Sequence, residues 1–182
     1  MTINLVSPPA QLAVLLPEAR DFLKISHMDE DALIASYIRA ATVACEQFTG
    51  RKLIGQQWQI LLNDWGSGEI QIALSPILSV DRVEVWVAGV FQEIIPTDYL
   101  LDRAGFQARI LPAPGYQWPD PERDVDGIRI TLSAGFGPDH NAVPEDIRLG
   151  LLHWIAAAYD TDGGQSVMMA ERLWQPYRRV AL

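Results

Sequence analysis

Apolar residues recur at helical spacing near the start of the chain. Pro17–Ile25 carries them behind a proline suited to a first helical turn, which predicts a short helix. A longer stripe follows a cap at Ser26 or Asp29 and includes Leu33 and Phe48, and Gly50 occupies the position of a helix-ending glycine. This pattern predicts an amphipathic helix of about 20 residues.

Between Leu53 and Phe136 the period shortens to the two-residue alternation of strands. Short β-branched and aromatic runs are separated by Gly, Pro, Asn and Asp. The predicted strands are Trp58–Leu62, Glu69–Leu74, Val80–Val87, Val90–Ile95, Ala108–Leu111 and Gly127–Leu132. Their alternation indicates antiparallel pairing with one buried and one solvated face. The segment Pro112–Asp126 holds four prolines and four acids, which predicts an exposed, mobile loop.

Helical spacing returns at Pro144, which precedes two acids and an apolar stripe. That helix should end by Gly163 and Gly164, and a last short helix over Gln165–Leu173 should stop before Pro176. The predicted fold class is α+β, with a helical bundle from the N- and C-terminal helices and an antiparallel β insertion between them. We expect a single domain over residues 1–182, with helices at about 17–50 and 144–173, the insertion at about 53–136 and a tail at 173–182.

Composition narrows the class of protein. The 182 residues are 49% hydrophobic, which suffices for a buried core. No segment approaches the ~20 apolar residues of a membrane span, and the apolar N-terminus lacks the basic region of a signal peptide. With a single cysteine, the expectation is a soluble protein that folds in a reducing cytoplasm. A net charge of −9 argues against nonspecific binding to DNA or to anionic membranes.

The residue types that carry chemistry form no recognisable constellation. His27, His140 and His153 lack the spacing of metal ligands, and Cys45 lies on the apolar face of the long helix, where a thiol behaves as a small hydrophobe. The glycine-containing turn after the last strand has no lysine and is followed by acids, which favours a structural turn over a phosphate site. The sequence predicts no catalytic residue, no metal site and no cofactor.

The C-terminal segment differs from the acidic remainder. From Glu171 onward it holds three arginines and one acid, beside a tryptophan and a tyrosine. Trp, Tyr and Arg are the residue types that anchor interfaces, so the tail is the candidate partner-binding site. Packing of the tail against its own domain remains the alternative. The candidate residues are Leu173, Trp174, Tyr177, Arg178, Arg179, Val180 and Leu182.

Short motifs follow one another in a characteristic order over most of the chain. They are Pro17–Ile25, Asp29–Ile34, Ala40–Thr42, Glu46, Phe48–Arg51, Leu74–Pro76, Ser79–Val80, Asp98–Tyr99, Trp118–Pro119, Ala134–Gly137, Val143–Arg148 and Pro176–Val180. In this order the chain resembles the tailed-bacteriophage head–tail connector (adaptor) family, including the adaptors of gene transfer agents. One departure is Ser75, where the family pattern has a second proline.

The resemblance implies a structural virion protein without a catalytic site. Such a protein forms a homo-oligomeric ring of twelve subunits on the portal protein of the DNA-filled head and supports the next head-completion (stopper) or tail protein. By the same analogy the tail Leu173–Leu182 reaches into the portal, so its deletion should abolish portal binding and leave the helical content nearly unchanged.

The resemblance also implies where the protein is located, and it leaves one alternative function open. The protein would sit in the neck of a virion or phage-like particle after assembly in the bacterial cytoplasm, and DNA would pass through an acidic channel without specific binding. The alternative is a tail-completion or other ring-forming virion protein that binds the tail tube instead of the portal.

Overall fold

The structure, a computed structural model, describes residues 1–104, 107–160 and 164–179. The chain folds as two compact units. The β unit comprises Met1–Pro8 and Gln56–Gly135, and the helical unit comprises Pro9–Gly55 and the chain from Phe136 onward. The polypeptide therefore passes from one unit to the other three times.

The helical unit contains the helices that the apolar periodicity predicts. They are α1 (Leu16–Leu23), α2 (Asp31–Thr49), α3 (Glu145–Tyr159) and α4 (Gly164–Trp174), followed by a 3-10 turn at Gln175–Tyr177. Gly50 ends α2 as predicted, with φ of 69° and its N–H donating to the Glu46 carbonyl. The predicted cap is wrong, because Glu30 occupies the N-cap position and its side chain makes no capping bond.

Aliphatic side chains from α2 and α3 form the centre of the helical unit. Ile34, Ile38, Ala41 and Cys45 of α2 are fully buried, as are Ile147, Leu151 and Ile155 of α3. Leu33, which was predicted to lie on the buried stripe, is 45% exposed because it falls at the edge of that stripe. Burial of these faces, and not a side-chain cap at the N-terminus, stabilises the long helix.

The β unit consists of two antiparallel sheets. Five strands are arranged in the order β1-β2-β8-β4-β5 and three in the order β3-β7-β6. The strands are β1 (Thr2–Ser7), β2 (Gln56–Leu62), β3 (Ile70–Ile72), β4 (Ile77–Val87), β5 (Val90–Ile94), β6 (Tyr99–Asp102), β7 (Ala108–Pro112) and β8 (Ile128–Ala134). Sequence analysis missed β1 and β6, since β1 is exposed almost throughout and β6 is only four residues long.

The five-stranded sheet has one apolar and one polar face. Along β8 the residues alternate between buried and half-buried, as predicted, with Ile128, Ile130 and Leu132 in the core. On the other face Arg129 donates two hydrogen bonds of 2.7 Å to the carboxylate of Glu84, which is itself buried. The hydrogen bonds to Glu84 raise the pKa of Arg129, so the pair stays charged.

The loop between β7 and β8 is packed more closely than predicted. The ring of Trp118 stacks on Trp65 at a centroid distance of 4.4 Å and an angle of 8°. Each indole N–H donates to a backbone carbonyl, Trp65 to Pro119 at 2.7 Å and Trp118 to Gly68 at 2.9 Å. The prediction of an exposed loop holds for three of its four acids, since Asp126 is half-buried. It is wrong for the aromatic residues, because the stacked pair covers part of the β-unit core.

We expect Trp118→Ala to lower the free energy of unfolding by about 2–3 kcal/mol, because it removes the stacked ring and leaves the Gly68 carbonyl without its donor. Urea titration followed by far-UV circular dichroism measures the loss. Val125→Ala in the same loop is the matched control, since Val125 is 63% exposed. Equal stability of the two variants would contradict a structural role for the tryptophan pair.

Candidate functional site

Trp174, the last residue of α4, lies inside the helical unit. Only 1% of the residue is exposed, and its indole Nε1 donates to the Ile147 carbonyl of α3 at 3.2 Å. The ring rests on Gly150, where an added Cβ would come within 2.3 Å of the indole nitrogen. Trp174 thus packs against its own domain, the alternative that the sequence left open, because α3 leaves a space at Gly150 that this ring fills.

After Trp174 the chain follows the C-terminal end of α2. The carbonyl of Tyr177 accepts a 2.7 Å hydrogen bond from Arg51 Nε, and the Tyr177 ring meets Phe136 edge-on at 6.5 Å. The backbone N–H of Arg179 donates to the Thr49 carbonyl at 2.9 Å. This bond satisfies one of the carbonyls that a helix end leaves without an intrahelical donor.

Three arginines gather at this end of α2. The guanidinium of Arg178 lies 5.5 Å from the centre of the Phe48 ring, and its side chain is exposed. Arg179 is half-buried, and burial followed by the nearby positive charge of Arg51 lowers the pKa of its guanidinium. Positive charge at a helix C-terminus is favoured by the helix dipole, which partly offsets the repulsion among the arginines.

The structure describes five of the seven predicted tail residues. Trp174 is buried, Leu173, Tyr177 and Arg179 are half-buried and Arg178 is exposed, whereas Val180 and Leu182 lie outside the described residues. The residues that hold the tail were missed by sequence analysis, namely Phe48, Arg51 and Gly150. Gly150 carried a signal, because a glycine inside a helical apolar stripe indicates a close approach of another group.

Other residue types that could carry chemistry are dispersed. His27 lies in the exposed segment before α2, His140 in a 3-10 turn and His153 on α3 against Phe22. Cys45 is fully buried, and that burial raises the pKa of its thiol. In residues 1–104, 107–160 and 164–179, His, Cys, Asp and Glu form no group of three that could hold a metal ion. No helix within these ranges is long and apolar enough to span a membrane.

We expect Gly150→Ala to lower the free energy of unfolding by about 2 kcal/mol, because the new methyl group collides with the Trp174 indole despite the better helix propensity of alanine. The measurement is urea denaturation followed by tryptophan fluorescence. Gly164→Ala serves as control, since nothing lies within 4 Å of its added Cβ. A Gly150→Ala protein as stable as the control would show that the indole is free to move.

Comparison with known proteins agrees with this architecture. No curated protein matches the sequence. Residues 14–87, which include α1, α2 and the strands through β4, match the model of the phage gp6-like head-tail connector protein family.

Solved structures match over the whole chain. A chain in the neck of an empty gene transfer agent (GTA) particle, computed with C6 symmetry, has a TM-score of 0.84 and 26% identity. A chain in the virion of a native GTA particle has a TM-score of 0.82 and 26% identity, and one in the neck of a native particle, computed with C12 symmetry, has a TM-score of 0.80 and 25% identity. Each match covers 100% of this chain and 97% of the other. The chain is thus similar in sequence, over residues 14–87, to phage gp6-like head-tail connector proteins, and similar in fold, over its whole length, to proteins of the GTA neck and virion.

Proposed function

We propose that this protein is a structural subunit of a virion neck, where copies of it form a ring that joins the portal of the DNA-filled head to the next head-completion or tail protein. The observation that carries this proposal is the full-length similarity to a chain in the neck of GTA particles. Because that similarity covers 100% of this chain and 97% of the other, both the helical and the β unit have counterparts there.

The symmetry of the similar structures supports a proposal for the number of subunits. Those necks were computed with C6 and with C12 symmetry. A ring of twelve identical subunits is compatible with both, since a twelvefold ring also has sixfold symmetry. We therefore propose a homo-oligomer of twelve copies, located in the particle neck after assembly in the bacterial cytoplasm.

The portal contact in this proposal is made by the end of the tail. Trp174 and the bond between Arg179 and Thr49 fix residues 174–179 on the helical unit, which leaves the exposed guanidinium of Arg178 for the partner. Val180 and Leu182, which lie outside the described residues, belong to the same predicted binding site. Arginine forms paired hydrogen bonds with carboxylates, so an acidic site on the portal is the complementary surface. Tyr177 supports this surface through its carbonyl bond to Arg51.

The charge of the chain suits a passage for DNA. Each subunit carries a net charge of −9, so a ring of subunits repels the phosphate backbone and offers few sites where DNA could adhere. In this proposal DNA passes through the ring without specific binding, and the ring needs neither a cofactor nor a catalytic residue.

The first test is co-sedimentation of the purified protein with portal rings encoded beside it. We expect the unaltered protein to sediment with the portal and to be visible as a ring in particle images. Arg178→Glu should weaken binding about tenfold, because it places a carboxylate against an acidic site. Arg172→Glu is the matched control, since Arg172 is also exposed and precedes the tail on α4.

A truncation separates binding from folding. Removal of residues 180–182 should reduce portal binding and leave the circular dichroism unchanged, whereas removal of Leu173–Leu182 also deletes Trp174 and should cost helical signal. The expectation that this longer deletion leaves the helical content nearly unchanged does not fit the burial of Trp174. Binding to tail tubes in place of the portal would favour a tail-completion protein, and binding to neither would overturn the proposal.

A further inference from the structure

A closed ring of identical subunits requires two different surfaces on each subunit that complement each other head to tail. We propose that these surfaces are the outer face of α2 and the outer face of the first half of α3, so that α2 of one copy docks on α3 of the next. This inference deepens the proposed function and rests on it, because it identifies the ring contact and the residues that make it.

The outer face of α2 is a low-charge stripe. Its exposed residues recur at three- and four-residue steps, so they lie on one side of the helix; they are Ala32, Leu33, Ser36, Arg39, Ala40, Val43 and Gln47. Leu33 is 45% exposed and Val43 54%. Arg39 is the one charged residue in that set, and its guanidinium donates to Ser36 Oγ at 3.1 Å. Within the described ranges Arg39 has no acidic partner.

The outer face of α3 has the opposite charge. Glu145, Asp146 and Leu149 are exposed, and Leu149 is 41% accessible. They line a shallow depression together with Glu18, Arg148 and Leu152. Arg148 bonds to Glu18 at 2.7 Å, whereas Glu145 and Asp146 have no basic partner among the residues that the structure describes. The depression therefore presents two carboxylates, unpaired by any basic side chain that the structure describes, around an aliphatic side chain.

The two faces are oriented as ring contacts require. Helices α2 and α3 pack against each other through their buried faces, with Ile34 and Ile38 in the same core as Ile147 and Leu151. Their exposed faces consequently point away from each other, to opposite sides of this pair. In a ring of twelve, each subunit turns by about 30° relative to its neighbour, so contacts on nearly opposite sides are needed.

The two faces also match in charge and in spacing. On α2, Arg39 precedes the aliphatic Val43 by four residues, and on α3, Glu145 precedes the aliphatic Leu149 by four residues. In each case the two side chains lie about 6 Å apart along the helix axis. A guanidinium can bridge two carboxylates, and the alanines beside Arg39 allow the helices to approach closely. Arg39 of one copy thus fits the depression of the next, with Val43 against Leu149.

The test uses two full-length variants that fail alone and complement each other. Arg39→Glu makes both faces acidic, and the double change Glu145→Lys with Asp146→Lys makes both faces basic, so neither variant can close a ring with itself. An equimolar mixture restores opposite charges at every contact when the two variants alternate. Ring formation is measured by mass photometry and native mass spectrometry, on the protein alone and on portal rings.

We expect the unaltered chain to form rings and each variant alone to form at least tenfold fewer rings. The mixture should form rings again, and these rings should contain equal amounts of both variants. Arg172→Glu and Asp29→Lys are the matched controls, since both residues are exposed elsewhere on the helical unit, and they should assemble normally. Normal rings from either variant alone, or a mixture that forms none, would overturn this interface and leave the proposed function intact. Failure of the unaltered chain to form rings under any of these conditions would overturn the proposed function itself.

Discussion

The helical unit depends on the contact between the Trp174 indole and Gly150. Only a residue without a Cβ allows the ring to lie this close to α3, and the indole N–H then reaches the carbonyl of Ile147. This contact attaches α4 to α3. Five residues further on, the Arg179 N–H donates to the Thr49 carbonyl of α2, so the segment between Trp174 and Arg179 is held at both ends.

The same contact divides the C-terminal segment into a structural and an accessible part. Its large aromatic residues, which would be expected to bind a partner, belong wholly or partly to the core, and the exposed charge within residues 173–179 is Arg178. Residues 173–179 are therefore better described as an extension of the helical unit than as a free arm. Any partner that it binds meets a surface whose position is already defined, which lowers the entropic cost of association.

The periodicity of apolar residues predicted most of the fold. It located α2, α3 and the alternating strand β8, because burial on one face leaves a regular pattern in the sequence. It failed for β1, whose side chains are nearly all exposed, and for Trp174, since a single aromatic residue near a chain end has no period to reveal what it packs against. The stacking of Trp118 on Trp65 was missed for the same reason, because the contact joins residues far apart in the chain.

Because the chain passes three times between the two units, the units become complete at different times during synthesis. The β unit has all its residues once Gly135 has been made, whereas the core of the helical unit still lacks α3, α4 and Trp174 at that point. Because compact units fold as their sequences become available, the β unit can form while the helical unit is still incomplete. A chain whose synthesis stops before Glu145 lacks the outer face of α3, so such an incomplete copy cannot make the proposed ring contact.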